Sequence, residues 1–162
     1  SPTPRAAGRT TTPAPAAPAS SASASARSLD AAAGLSAQRQ QDLTRLRLDG
    51  SWGVQLASKY DGVVDSSLVA QNGTHTFYTA DILAEHQALR SDPRIAGTVY
   101  LLLATDFGKQ RTWSHTIWVT LAAPGLASQE EADAWCRDRN PGLSDKERAN
   151  VCMPRQLVPP QG

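Results

Sequence analysis

No large apolar side chain occurs before Leu29, and strict period-two alternation begins only at Trp52. There Trp52, Val54 and Leu56 alternate with Gly53, Gln55 and Ala57, the pattern of a half-buried strand. Upstream, residues 37–47 are mostly helix formers, but Leu43, Leu46 and Leu48 do not share a helical face. A short helix is expected within residues 29–50; the competing reading is a strand, Leu46–Leu48, turning at Asp49-Gly50. Residues 60–78 keep no period and read as a long loop, with a short strand around Thr76–Tyr78. Thr79 or Asp81 then caps a helix carrying Ile82, Leu83, His86 and Leu89 on one face, with Pro93 just past its end. Val99–Ala104 is a continuous apolar run, short enough for a buried strand. Ile117, Val119 and Leu121 alternate with Thr116, Trp118 and Thr120 for another. Ser128 and Glu131 form a capping box before Ala132, Trp135 and Cys136, in a helix ending near Asn140-Pro-Gly142. Ser144–Asn150 adds a helical turn. Val151–Leu157 is a last strand, which Pro154 assigns to a sheet edge.

The order strand, helix, strand, strand, helix, strand predicts an α+β fold. Its expected form is a ferredoxin-like βαββαβ arrangement, a four-stranded antiparallel sheet with two helices on one face. The other face would be open. Gly53, Gln55 and Ala57 on one central strand and Thr116, Trp118 and Thr120 on the other would point out of it. An exposed Trp118 ring would suit stacking on a sugar or a base. The alternative is that the 60–80 loop or residues 29–49 cover it.

Composition divides the chain further. Of residues 1–28, 24 are Pro, Ala, Ser or Thr, too few apolar groups to offset the entropy of ordering them. An extended segment of that length reaches about 85 Å, at about 3.1 Å per residue. It is expected to be a disordered stalk; the plainer reading is a low-complexity terminus of no consequence. Residues 29–50 are transitional, 51–158 form the domain and 159–162 a tail. No apolar run approaches the roughly 18 residues of a bilayer span, and no secretory signal begins the sequence. The chain is therefore expected to be a piece of a longer, membrane-tethered protein. A net charge of +1 and a pI near 7.8 argue against a nucleic-acid partner. Arg outnumbers Lys 13 to 3, which with the frequent Ala suggests a GC-rich, actinobacterial-type genome.

Trp52-Gly-Val-Gln-Leu-Ala-Ser58 resembles the first strand of SPOR (sporulation-related repeat) domains, aromatic-x-Val-Gln-apolar-Gly/Ala-Ser. Ile117-Trp-Val-Thr-Leu-Ala followed by Ser128-Gln-Glu-Glu-Ala resembles that family's third strand and second helix. The resemblance covers residues 51–158. It departs at the roughly twenty residues between the first strand and first helix, and at Ala122, where the family has Gly. The stretch is also similar to extracellular C-terminal regions of actinobacterial membrane proteins, among them receptor-like serine/threonine kinases, which hang from Pro/Ala/Thr-rich stalks. The resemblance implies a non-enzymatic, extracytoplasmic, wall-facing domain that binds peptidoglycan glycan strands through the open sheet face. Gln55, Trp118 and Thr120 would make the contacts. The alternative is a protein-interaction or dimerisation ectodomain of a signalling protein such as a kinase, whose partner is itself or another envelope protein.

In that placement Cys136 and Cys152 would form a disulfide; two buried thiols of a cytosolic protein are the alternative. Other chemical signals are weak. Asp106-Phe-Gly108 spells the kinase magnesium tripeptide but lacks the remaining kinase motifs and reads as a turn. Asn72-Gly-Thr74 matches a glycosylation sequon. His75, His86 and His115 are dispersed, and His86 reads as a buried helix residue. No catalytic residue, metal site or cofactor is expected.

Overall fold

A computed structural model describes Pro2 and residues 19–162. Most of the expected stalk, residues 1–28, lies outside the described residues. Its last part differs from expectation: helix α1 runs from Ala19 to Arg45, so residues 19–28 are helical and the short helix expected in 29–50 belongs to a 27-residue one. Its buried stripe is Ala31, Leu35 and Asp42, spaced four and seven as a helical face requires. The third member is a carboxylate, which is why the leucines showed no face. Leu46–Leu48 is irregular chain, not a strand.

Strand β1 (Trp52–Lys59) leads through a two-stranded ribbon, β2 (Val63–Val64) and β3 (Thr76–Phe77), into helix α2 (Thr79–Arg90). Strand β4 (Val99–Leu103) and a single 3-10 turn over Ala104–Asp106 follow. Then come β5 (Trp118–Leu126), α3 (Gln129–Arg139), α4 (Asp145–Val151) and β6 (Met153–Gln156). The start of α3 follows the expected cap at Ser128, whereas α2 starts one residue earlier than a Thr79 cap would place it, with Tyr78 at the N-cap and Asp81 at the third helical position. Asp81 accepts the Tyr78 amide at 3.0 Å, and Ser128 Oγ accepts the Glu131 amide at 3.1 Å while Glu131 accepts that of Ala127 at 2.6 Å. The result is an α+β structure with a four-stranded antiparallel sheet in the order β4-β5-β1-β6. Pro154 lies in β6, at an edge.

Opposed residues of antiparallel strands share a face. Val54, Ala122 and Val99 form one such row and pack with Ala132 and Cys136 of α3. In the same layer Leu101 meets Leu35 of α1, Phe77, and Ile82 of α2. The opposite face carries Leu102, Val119 and Leu121, buried with Ala104, Phe107 and Leu157, against which Leu46, Leu48, Trp113 and Ile117 also pack. Both faces are therefore covered, the second by irregular chain. A register shift between Gln55 and Ala57 changes the phase of β1, so that Lys59 stands opposite Trp118 and is only 3 % exposed. Cys136 and Cys152 form a disulfide that ties α3 to the residue preceding β6.

Candidate functional site

The three residues nominated from the sequence do not share a surface. Gln55 stands opposite Leu121 in the β1–β5 register, whereas Trp118 and Thr120 lie at alternate positions of β5 and point to the other side. Thr120 is 3 % exposed and its hydroxyl is 2.9 Å from His86 Nδ1. Trp118 packs half-buried against the Leu35, Phe77, Ile82 and Leu101 cluster. Gln55 Oε1 accepts a hydrogen bond from Arg155 at 2.8 Å. The expected open sheet face is thus absent among the described residues. Period two identifies which residues of β5 share a side, but when both sides are buried it does not say which side meets the helices.

A concave surface exists instead where the chain leaves β4 and returns to β5. Thr105, Trp113, Ser114, His115 and Thr116 line a pocket of about 320 Å³ floored by Leu103, Ala104 and Ile117. Polar bonds shape its wall. Gln110 donates to the carbonyls of Phe107 (3.0 Å) and Ala104 (3.2 Å), and its Oε1 accepts from the Trp113 indole at 3.1 Å. Arg111 lies 4.3 Å from the Trp113 ring. Exposed His115 stacks on Tyr60, with ring centroids 3.9 Å apart and planes 3° from parallel. Three hydroxyls, an indole and an imidazole around a small apolar patch combine hydrogen-bonding and stacking groups in one concave surface. The sequence signal for it is slight: Trp113 and His115 sit among hydroxyl residues in a stretch with no apolar period.

The motifs set aside as weak have structural roles. Asp106 accepts the Leu103 amide at 2.7 Å and the Arg39 guanidinium, Phe107 is fully buried, and Gly108 takes a positive φ of 71°. Asn72 of the sequon donates its side-chain amide inward, to Thr76 O at 2.9 Å and Asp81 Oδ2 at 2.8 Å. Lys59 is a buried cation between Glu85 (3.2 Å) and Asp65 (3.6 Å), with its ammonium 4.6 Å from the Phe77 centroid. Burial pushes the Glu85 carboxyl up against the pull of Lys59. Hydrogen bonds from Ser67 and Asn150, with the Lys59 charge, hold Asp65 below the usual carboxylate range despite its own desolvation. The cluster fastens the 60–78 loop to β1 and α2.

His86 is 1 % exposed, and burial, helped by the nearby Arg90 charge, lowers its pKa to about 4. Below pH 6.5 the unfolded chain therefore binds a proton that the folded one refuses until about pH 4. Stability falls as the pH drops through that window, by an amount on the order of 3 kcal/mol. Glu85 acts in the opposite sense, so the measurement is a comparison. In urea titrations between pH 7 and pH 4, His86→Gln is expected to flatten the decline seen in the native chain; an unchanged slope would assign it to other groups.

Compared with known proteins, the chain matches no family model, no curated protein and no solved structure. Among the described residues, no three His, Cys, Asp or Glu side chains are grouped to hold a metal ion.

Proposed function

We propose that this chain is a non-catalytic, extracytoplasmic binding domain that recognises cell-wall peptidoglycan glycan at the pocket between β4 and β5. The pocket carries the reading: Trp113, the His115 ring that stacks on Tyr60, and the hydroxyls of Thr105, Ser114 and Thr116 line about 320 Å³, the scale of a small-ligand site rather than of a protein-docking surface. The fold in this reading is SPOR-like and ferredoxin-like, with α2 and α3 on one sheet face. The strand order, and the reach of His86 and Cys136 to the same side of β5, support it. Relative to that family α1 is an addition, and the covered second face moves the glycan site from the sheet to its rim. The disulfide supports an oxidising, wall-facing location. The Pro- and Ala-rich start is then the spacer to a membrane anchor.

Retention on purified peptidoglycan, before and after stem-peptide removal, tests the proposal. His115→Ala, at an exposed position, is expected to reduce retention about tenfold, the loss of roughly 1.4 kcal/mol of contact. Trp118→Ala is expected to leave it unchanged in folded protein. Absence of retention, or equal retention by His115→Ala, would reject glycan binding at this pocket. A second reading, a protein-interaction ectodomain, draws on Val64 and Val69, each 66 % exposed, and Tyr78 at 53 %, in and beside the 60–78 loop. Capture of an envelope protein lost in Val69→Asp but kept in His115→Ala would favour it.

A further inference from the structure

Strand β4 is an edge of the sheet, and side chains rather than another strand pair with three of its outward backbone groups. The Leu101 amide donates to Asp42 Oδ2 at 2.7 Å, and the Leu103 amide to Asp106 Oδ2 at 2.7 Å. The Val99 carbonyl accepts from Arg90 at 3.0 Å. Helix α1 organises this clasp. Its Asp42 also accepts from Arg45 at 2.8 Å and Arg90 at 3.1 Å, and its Arg39 donates to Asp106 at 2.7 Å. Because amide direction alternates along an antiparallel strand, the amides of Tyr100 and Leu102 turn inward to β5 while those of Leu101 and Leu103 turn out.

The cover rests on a narrow buried stripe. Of the described α1 side chains, Ala31, Leu35 and Asp42 are buried. Arg39, Arg45 and Arg90 are 28 %, 42 % and 31 % exposed, so water reaches the clasp from outside. Residues 27–30 of the helix are exposed. Beneath the cover lies Val99-Tyr-Leu-Leu-Leu103, a run with high strand propensity whose bare edge would template pairing.

We propose that α1 is a detachable cover of this edge, and that the partner it excludes is β4 of a second copy of the chain, paired antiparallel about a two-fold axis. The edge is self-complementary in that arrangement. With the axis at residue 101, Leu101 faces its own counterpart, and the Leu103 amide of each copy meets the Val99 carbonyl of the other. Two four-stranded sheets would then join into one of eight strands.

Native-state hydrogen exchange on the full chain tests the cover without any substitution. Leu101 is expected to exchange at least tenfold faster than Leu102, because its amide is freed by departure of α1 alone. Equal protection of the two would overturn the detachable cover. Sedimentation velocity tests the partner. The native chain is expected to stay monomeric and Asp42→Ala to form a concentration-dependent dimer, with Arg39→Ala shifting the same way at smaller amplitude. Leu103→Pro removes one outward amide at a φ of −93°, close to the range of proline, and in the Asp42→Ala background is expected to restore the monomer. Folded Asp42→Ala and Arg39→Ala chains that remain monomeric, or a dimer that persists with Pro at 103, would overturn pairing through β4.

Discussion

Phe107→Ala is expected to destabilise the protein by about 3–5 kcal/mol, the cost of emptying a fully packed aromatic site. Phe107 is 0 % exposed and sits with Leu102, Val119, Leu121 and Leu157 in one buried cluster. Above its ring lies Arg155, whose guanidinium is 4.8 Å from the centroid. Burial lowers the Arg155 pKa, with the Arg111 charge adding to the effect, and the aromatic face offsets part of that desolvation. Phe107→Ala thus removes both the hydrophobic filler and the support of a partly desolvated cation. Urea unfolding at neutral pH reads the change as a lower midpoint with an unchanged slope. Were the sheet face open and the 104–117 connection a loose surface loop, the same substitution would shift stability by no more than about 0.5 kcal/mol. Val69→Ala, at an exposed loop position, serves as the control of that size.

The second large effect is expected at the disulfide. Cys136 and Cys152 are 16 residues apart in sequence and 1 % and 2 % exposed, so the bridge closes a short loop inside the cluster of Val54, Leu56, Val99 and Ala122. Restricting the unfolded chain over such a loop stabilises by about 3 kcal/mol. A Cys136→Ala/Cys152→Ala chain is expected to lose that amount, measured by urea unfolding in the absence of reductant. Alanine is the better replacement because serine would place hydroxyls among apolar side chains. Reduction of the native chain should reproduce the loss, and adding reductant to the double variant should change nothing further. Loss much below 1 kcal/mol would mean that α3 and β6 are held by packing alone. Among the described residues β6 pairs only with β1, so the tie to α3 secures an edge strand.

The helix caps show how much was legible locally. Ser128 with Glu131, and Pro93 past α2, mark element ends through chemistry within a few residues, and the structure places α2 and α3 where those signals put them. α1 was only half legible. Its stripe of Ala31, Leu35 and Asp42 has one strongly apolar member, and Asp42 is buried because Arg45, Arg90 and the Leu101 amide converge on it from i+3, i+48 and i+59. A carboxylate with distant partners leaves no trace in a hydrophobic pattern. The partners of the nominated site residues were illegible for a related reason. Gln55 and Thr120 each look like surface residues, but Arg155 and His86, far along the chain, satisfy their polar groups inside the fold.

Length, spacing and period by themselves determined that this is an α+β domain of strands and capped helices, preceded by a Pro- and Ala-rich start, because those features depend on neighbours one to four residues away. Tertiary structure alone decided that Trp118 and Thr120 of β5 turn toward Phe77, Leu101 and His86. It also closed the second sheet face with residues 46–48, 104–117 and 157, and turned Lys59 inward through a bulge. Those outcomes depend on contacts between segments tens of residues apart. A strand with two apolar partners carries the same period whichever side they take.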